Sequence, residues 1–169
     1  QGGGNQEEGI RSGTEAVALV SGMSIALNNI KSDTDVNRSD SKVQIVKALT
    51  DILRRELSYI NNIHFTGHPQ QRLSNHISMV VKDNSDLPII GSELVRRLSL
   101  KGVYASSSTA CQSGQIEESH VLRAIGIKTS LCKSGLRFTL GDWLTPDLIY
   151  RVPSILEECI TTISLNYHD

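Results

Sequence analysis

The chain has 169 residues, of which 38% are apolar, enough to build a packed core and to exclude disorder along its whole length. With 17 basic against 18 acidic residues and a net charge of −1, it offers no electrostatic case for nucleic acid or for an anionic membrane surface. Three cysteines at irregular spacing (Cys111, Cys132, Cys159) suggest neither a disulfide framework nor a closed metal site, and they fit the cytoplasm or a reducing organelle. The N-terminus is glycine-rich and polar, unlike a secretory leader. No stretch approaches the roughly 18 apolar residues of a membrane span, so a soluble protein is expected. Gln1-Gly2-Gly3-Gly4 opens without an initiator methionine on a dense polar motif and reads as the interior of a longer protein, that is, as a fragment.

After this loop, Val17, Val20, Met23, Leu27 and Ile30 recur at three-or-four spacing, which predicts an amphipathic helix. The charged stretch 32–41 reads as an exposed linker and hinge. A second helix is expected through Val43, Val46, Leu49, Leu53, Leu57 and Ile60, fraying at Asn61-Asn62. Ile63 to Thr66 and His76 to Lys82 read as strands, the second placing Ile77, Met79 and Val81 on one face, with a turn over Gly67 to Gln71. A short helix around Leu94, Val95 and Leu98 should end with Gly102 as its left-handed cap, and Val103 to Ser106 should be a strand. A polar loop follows, then a helix near Val121, Leu122 and Ile125 that stops at Gly126. Leu136, Phe138 and Leu140 alternate with Arg137 and Thr139, so a strand there buries the former and turns Arg137 the other way. The last helix has Thr145 as N-cap and Pro146 at its first position, with a kink expected at Pro153.

Three segments concentrate small and polar residues beyond what packing needs. In Gly2 to Thr14 the glycines permit close backbone approach, while Ser12 and Thr14 ahead of a helix offer hydroxyls and amides to an anion such as phosphate; taken alone, the same residues read first as a capped helix start. Cys132 and Cys159 read as small buried hydrophobes. Cys111 differs, because its setting in Ala105-Ser106-Ser107-Ser108-Thr109-Ala110-Cys111-Gln112-Ser113-Gly114 suits an accessible thiol; these residues alone leave it open between a reactive and an incidental cysteine. In Gly135 to Gly141, Arg137 carries a planar fork suited to a carboxylate, or to a surface ion pair. His64, His68 and His76 lack metal-ligand spacing and read as ordinary surface or turn residues, with no metal implied.

Together and in this order, these segments resemble group I (NifS/IscS-like) cysteine desulfurases of the class V aminotransferase superfamily. The family's glycine-rich segment ending Arg-Ser-Gly-Thr-Glu is similar to Gly3 to Glu15. Its Ser-Ser-Gly-Ser-Ala-Cys loop resembles Ser106 to Cys111, its Ser-His-Val-Leu helix start resembles Ser119 to Leu122, and its Arg-Phe-Ser-Leu-Gly strand resembles Arg137 to Gly141. Departures include Asn5 for a glycine, Ser108 and Thr109 for Gly and Ser, and Glu118 for a common proline. The longer spacer between Cys111 and Ser119 also resembles group I.

The resemblance implies an α/β, fold-type I pyridoxal 5'-phosphate (PLP)-dependent transferase, of which this chain holds the C-terminal small α+β domain and bridging helices. Residues 1–36 would carry the cofactor-phosphate loop and a helix linking to a missing large domain, and 37–169 the small domain with the cysteine loop. It implies Cys111 as the acceptor that becomes a persulfide, Arg137 as the clamp on the substrate carboxylate, and Thr14 as a phosphate ligand serving the opposite subunit of a homodimer. The activity implied is removal of sulfur from L-cysteine to give L-alanine, with delivery to an acceptor such as an iron–sulfur scaffold. None of the seven lysines follows a histidine, as the family's PLP lysine does, so this chain alone is expected to be inactive. The alternatives are a selenocysteine or cystine lyase of the same superfamily and a non-catalytic partner-binding module.

Overall fold

The computed structural model describes residues 2–33, 41–108 and 118–166, grouped in two compact units, Gln1–Lys42 and Val43–Asp169. In the first unit the glycine-rich segment folds back on itself. Ser12 Oγ donates to the Gly2 carbonyl at 3.0 Å, the Gln6 side-chain oxygen accepts from Gly13 N–H at 3.1 Å, and Arg11 Nη1 donates to the Ser12 carbonyl at 2.7 Å. Between them, Glu7 and Glu8 take left-handed φ values of 50° and 54°. Helix α1 (Val17–Asp33) follows. Its expected apolar face is present, but Ala18, Ile25 and Ala26 lie off that face, so the helix is apolar on most sides and not simply amphipathic. Its large apolar side chains, Leu19 and Ile25 among them, are exposed. A helix of this composition is one that needs covering on most sides. The expected linker over 32–41 falls mostly outside the described residues.

The second unit is built on a four-stranded antiparallel sheet of order β1-β2-β4-β3: β1 (Ile63–Phe65), β2 (His76–Val81), β4 (Gly135–Thr139) and β3 (Ser106–Ser107). Strict alternation puts Ile77, Met79, Val81, Leu136 and Phe138 on one face, where they form one core with the buried residues of α2 (Lys42–Leu57), α3 (Gly91–Leu100) and α5 (Pro146–Asn166). The opposite face is polar except at one end, where Val80 packs with Leu122 of α4 (His120–Ala124) and with Cys132.

Two boundaries differ from expectation by more than one residue. Helix α2 stops at Leu57, where the bonding changes to i→i−3, Tyr59 N–H donating to the Glu56 carbonyl and Ile60 N–H to that of Leu57; Ile60 reaches the core from this turn. Strand β3 is only Ser106–Ser107, not Val103 to Ser106. Helix α3 ends in a Schellman motif, with Gly102 at φ +79° donating to Ser99 and Val103 donating to Leu98, and that hydrogen bond engages Val103 with the helix and not the sheet. Helix α5 runs through Pro153 as one element. Among the described residues, no helix is long and apolar enough to cross a membrane.

Candidate functional site

The polar sheet face is organised by register. Arg137 on β4 lies directly between Ser78 on β2 and Ser106 on β3. Directly paired residues of antiparallel strands project to the same side, with Cα atoms about 4.5–5.5 Å apart, so these three side chains form a row. The next row along holds His76 opposite Thr139. Arg137 is exposed, as strand alternation requires, and its fork is available to a carboxylate. Ser78 Oγ lies 2.7 Å from Thr66 Oγ1, which fixes that end of the row.

Strand β3 carries the chain from this row towards Cys111. Cys111 itself lies outside the described residues, but Ser106 stands across from Arg137 and Cys111 is five positions further on, a span of at most about 18 Å. The other two cysteines are buried, and burial pushes both thiols up, away from the reactive thiolate. Cys132 Sγ is engaged locally, 3.5 Å from the Lys128 carbonyl oxygen and 3.6 Å from that of Ile127.

Thr14 belongs to the other unit. It is exposed, lies ahead of α1 and is engaged by no hydrogen bond among the described residues, so its hydroxyl is free to meet a phosphate. Glu7, Glu8 and Glu15 nearby in sequence are acidic, and this segment alone is not an anion site. The lysines described in ion pairs, Lys47 with Asp51, Lys82 with Asp86 and Lys101 with Glu158, face carboxylates. The unengaged Thr14 hydroxyl fits a share in holding a phosphate group, and the three paired lysines are not open amines.

Sequence reading missed the partners of Arg137. Alternation shows which way Arg137 turns, but only long-range register shows that Ser78 and Ser106 flank it. His76 was grouped with surface histidines; it is half-buried on the same face as Arg137. His68 is a turn residue, its Nδ1 accepting from the N–H groups of Gln70 and Gln71. Among the described residues no cluster of metal-ligating side chains occurs. A cleft of about 610 Å³, lined by Leu53, Tyr104, Phe138 and Trp143 among others, opens beside the core side of the sheet and does not include Arg137.

The antiparallel sheet, covered by helices on one face and carrying an arginine on the other, has the fold of part of a solved NifS-like protein. The solved NifS-like protein from Rickettsia africae superposes with a TM-score of 0.76 at 23% identity, over 94% of this chain and 39% of that one. In sequence, the chain is 34% identical over 158 residues to cysteine desulfurase IscS of Methanosarcina thermophila and 38% identical over 155 residues to cysteine desulfurase 2 of Trichormus variabilis. These matches take in 94% and 91% of this chain but 37% and 36% of the relatives, so it spans little more than a third of their length. No family model matches the chain. By sequence and fold, the chain is similar to a part of the NifS/IscS-like cysteine desulfurases, about a third of their length.

Proposed function

We propose that the intact protein is a cysteine desulfurase that takes sulfur from L-cysteine, releases L-alanine and holds the sulfur as a persulfide on Cys111. The observation that carries this reading is Arg137 on the open polar face, directly across from the strand that leads to Cys111. The Arg137 fork binds the substrate carboxylate through two parallel hydrogen bonds and so fixes the orientation of the substrate's carbon skeleton. The Cys111 thiolate attacks the substrate sulfur. A sulfur–sulfur bond forms as the carbon–sulfur bond breaks, its electron pair stays with the carbon, and that carbon takes up a proton to leave as alanine. Bound PLP supplies the electron sink for the substrate carbons. Thr14 contributes a hydroxyl to its phosphate, in a homodimer across the subunit boundary, while the covalent lysine comes from outside this chain. Residues 1–36 then link to the large domain and 37–169 form the small domain. The persulfide passes to an acceptor such as an iron–sulfur scaffold, in the cytoplasm or another reducing compartment, where the thiol survives.

The test is turnover of L-cysteine by the PLP-loaded intact enzyme with Cys111→Ser. Persulfide on the protein should vanish and sulfide release should fall at least 100-fold. Sulfur release at the wild-type rate would remove Cys111 from the reaction and favour a lyase.

A further inference from the structure

Two guanidinium groups converge on the end of β1. Arg54, from α2, lies over the Phe65 ring, 4.6 Å from its centroid. Arg72, from the turn between β1 and β2, donates from Nη1 to the Thr66 carbonyl at 3.4 Å and from Nε to the His76 carbonyl at 3.1 Å. Their attachment points are therefore consecutive residues, Phe65 and Thr66. The second is fixed in the sheet, its N–H donating to the Ser78 carbonyl at 2.9 Å and its Oγ1 lying 2.7 Å from Ser78 Oγ. Both arginines are half-buried. Burial, then the positive charge of Arg54, holds Arg72 below the ordinary guanidinium value, so the charge of one reaches the other.

No negative charge answers this pair. Among the described residues neither arginine makes an ion pair, and the carboxylates near Arg54 on α2 are taken, Asp51 by Lys47 and Glu56 by Arg55. Contact with a ring face uses none of Arg54's N–H donors. Its Nη1 is shielded from solvent and yet meets no acceptor, although buried polar groups ordinarily have one. Arg72 spends two of its five N–H donors on the carbonyls, which leaves both on Nη2 and one on Nη1. Arg55, the next residue after Arg54, shows the contrast: it is exposed, and its Nε and Nη2 both donate to Glu56.

We propose that Arg54 and Arg72 form a binding site for the phosphate group of a small molecule, either inorganic phosphate or a phosphomonoester. Charge and shape favour phosphate over carboxylate. A phosphate group carries about 1.5 to 2 negative charges at neutral pH, enough to balance two guanidinium groups, whereas a carboxylate carries one. Its oxygens point in different directions and so can meet forks that come from two elements. Because Arg54 is only half-buried, rotation about its terminal torsions can turn the covered Nη1 to the ligand. Neither Cys111 nor Arg137 takes part, so the site stands or falls independently of the proposed desulfurase activity.

The test is titration of the isotope-labelled 169-residue chain with sodium phosphate at neutral pH and constant ionic strength, following the Nε–Hε signals of Arg54, Arg72 and Arg55 by NMR. The Arg54 and Arg72 signals should move together and saturate with one dissociation constant, while that of Arg55, already paired, stays. Arg54→Gln should weaken phosphate at least about 10-fold, the factor carried by one charge-assisted hydrogen bond, and Arg54→Lys, which keeps the charge but not the fork, should weaken it less. Arg72 also ties β1 to β2, so the Arg54 variants carry the comparison, with amide shifts in β2 and β4 as the check that they fold. Glycerol phosphate separates the two sources: affinity equal to that of inorganic phosphate assigns the site to the phosphate group alone, and tighter binding assigns it to an ester. Wild-type signals that do not saturate, an affinity unchanged in Arg54→Gln, or acetate bound as tightly as phosphate overturns the site.

Discussion

The row Ser78-Arg137-Ser106 places one strong cation among hydroxyls, and His76 lies on the same face, one row along. Burial, then the positive charges of Arg72 and Arg137, hold its imidazole below the usual value of 6.5. A neutral His76 leaves Arg137 to set the charge of the row, which suits an anionic substrate. The shift also has a consequence for stability. A depressed folded pKa means that protons bind the unfolded chain more readily, so the contribution is fully present above about pH 6.5 and is lost as pH falls through the folded value. Urea midpoints of the chain should therefore drop between about pH 7.5 and 5.5, and the drop should be smaller in His76→Asn. Glu93, held low by Arg96 and Arg97, loses its contribution only further into the acid range and does not confuse this window. An equal drop in the variant would show that His76 is not the group responsible.

Among the elements, the C-terminus of α3 does most to set where the site strand begins. Gly102 at φ +79° has nothing within 4 Å of where a Cβ would sit, so Gly102→Ala meets no clash and carries only the left-handed backbone cost of about 1–2 kcal/mol. A denaturant titration should show a loss of that size with no change in slope; a loss near zero would mean that the Schellman turn relaxes freely. This cap was legible, because Gly at the end of an apolar-periodic run has a local cause. Arg137 turning away from the core was legible for the same reason, through the alternation of Leu136, Phe138 and Leu140. What could not be read depends on distant residues. The shortness of β3 follows from how Val103 is engaged and from pairing with β4, far along the chain. The early end of α2 lies in a tightened last turn at Tyr59 and Ile60, inside a run whose apolar spacing continues. Helix α1 was misread as one-sided because its apolar spacing was counted along a single face.

At the scale of the molecule, the two units differ in what holds them. In Val43–Asp169 the sheet and three helices share one buried core. Helix α1 has no such support: Val17, Leu19, Met23 and Ile25 are each more than 60% exposed. Burying a side chain of this kind stabilises by roughly 1.5–3 kcal/mol, whereas ordering each backbone residue costs roughly 1–2 kcal/mol. A 17-residue helix left in water is therefore marginal. The chain spans little more than a third of its relatives' length, and on the function proposed above the remainder of the protein would cover α1. Two measurements follow from this one argument. In the chain by itself, amides of α1 should exchange within about a minute, while those of β2 and β4 remain protected for at least about 100 times longer, since they open only with the core. In the intact enzyme, α1 should gain protection approaching that of the sheet. Protection of α1 equal to β2 in the chain alone would mean that the helix finds cover within these 169 residues, and the assignment of its apolar sides to the rest of the enzyme would fall.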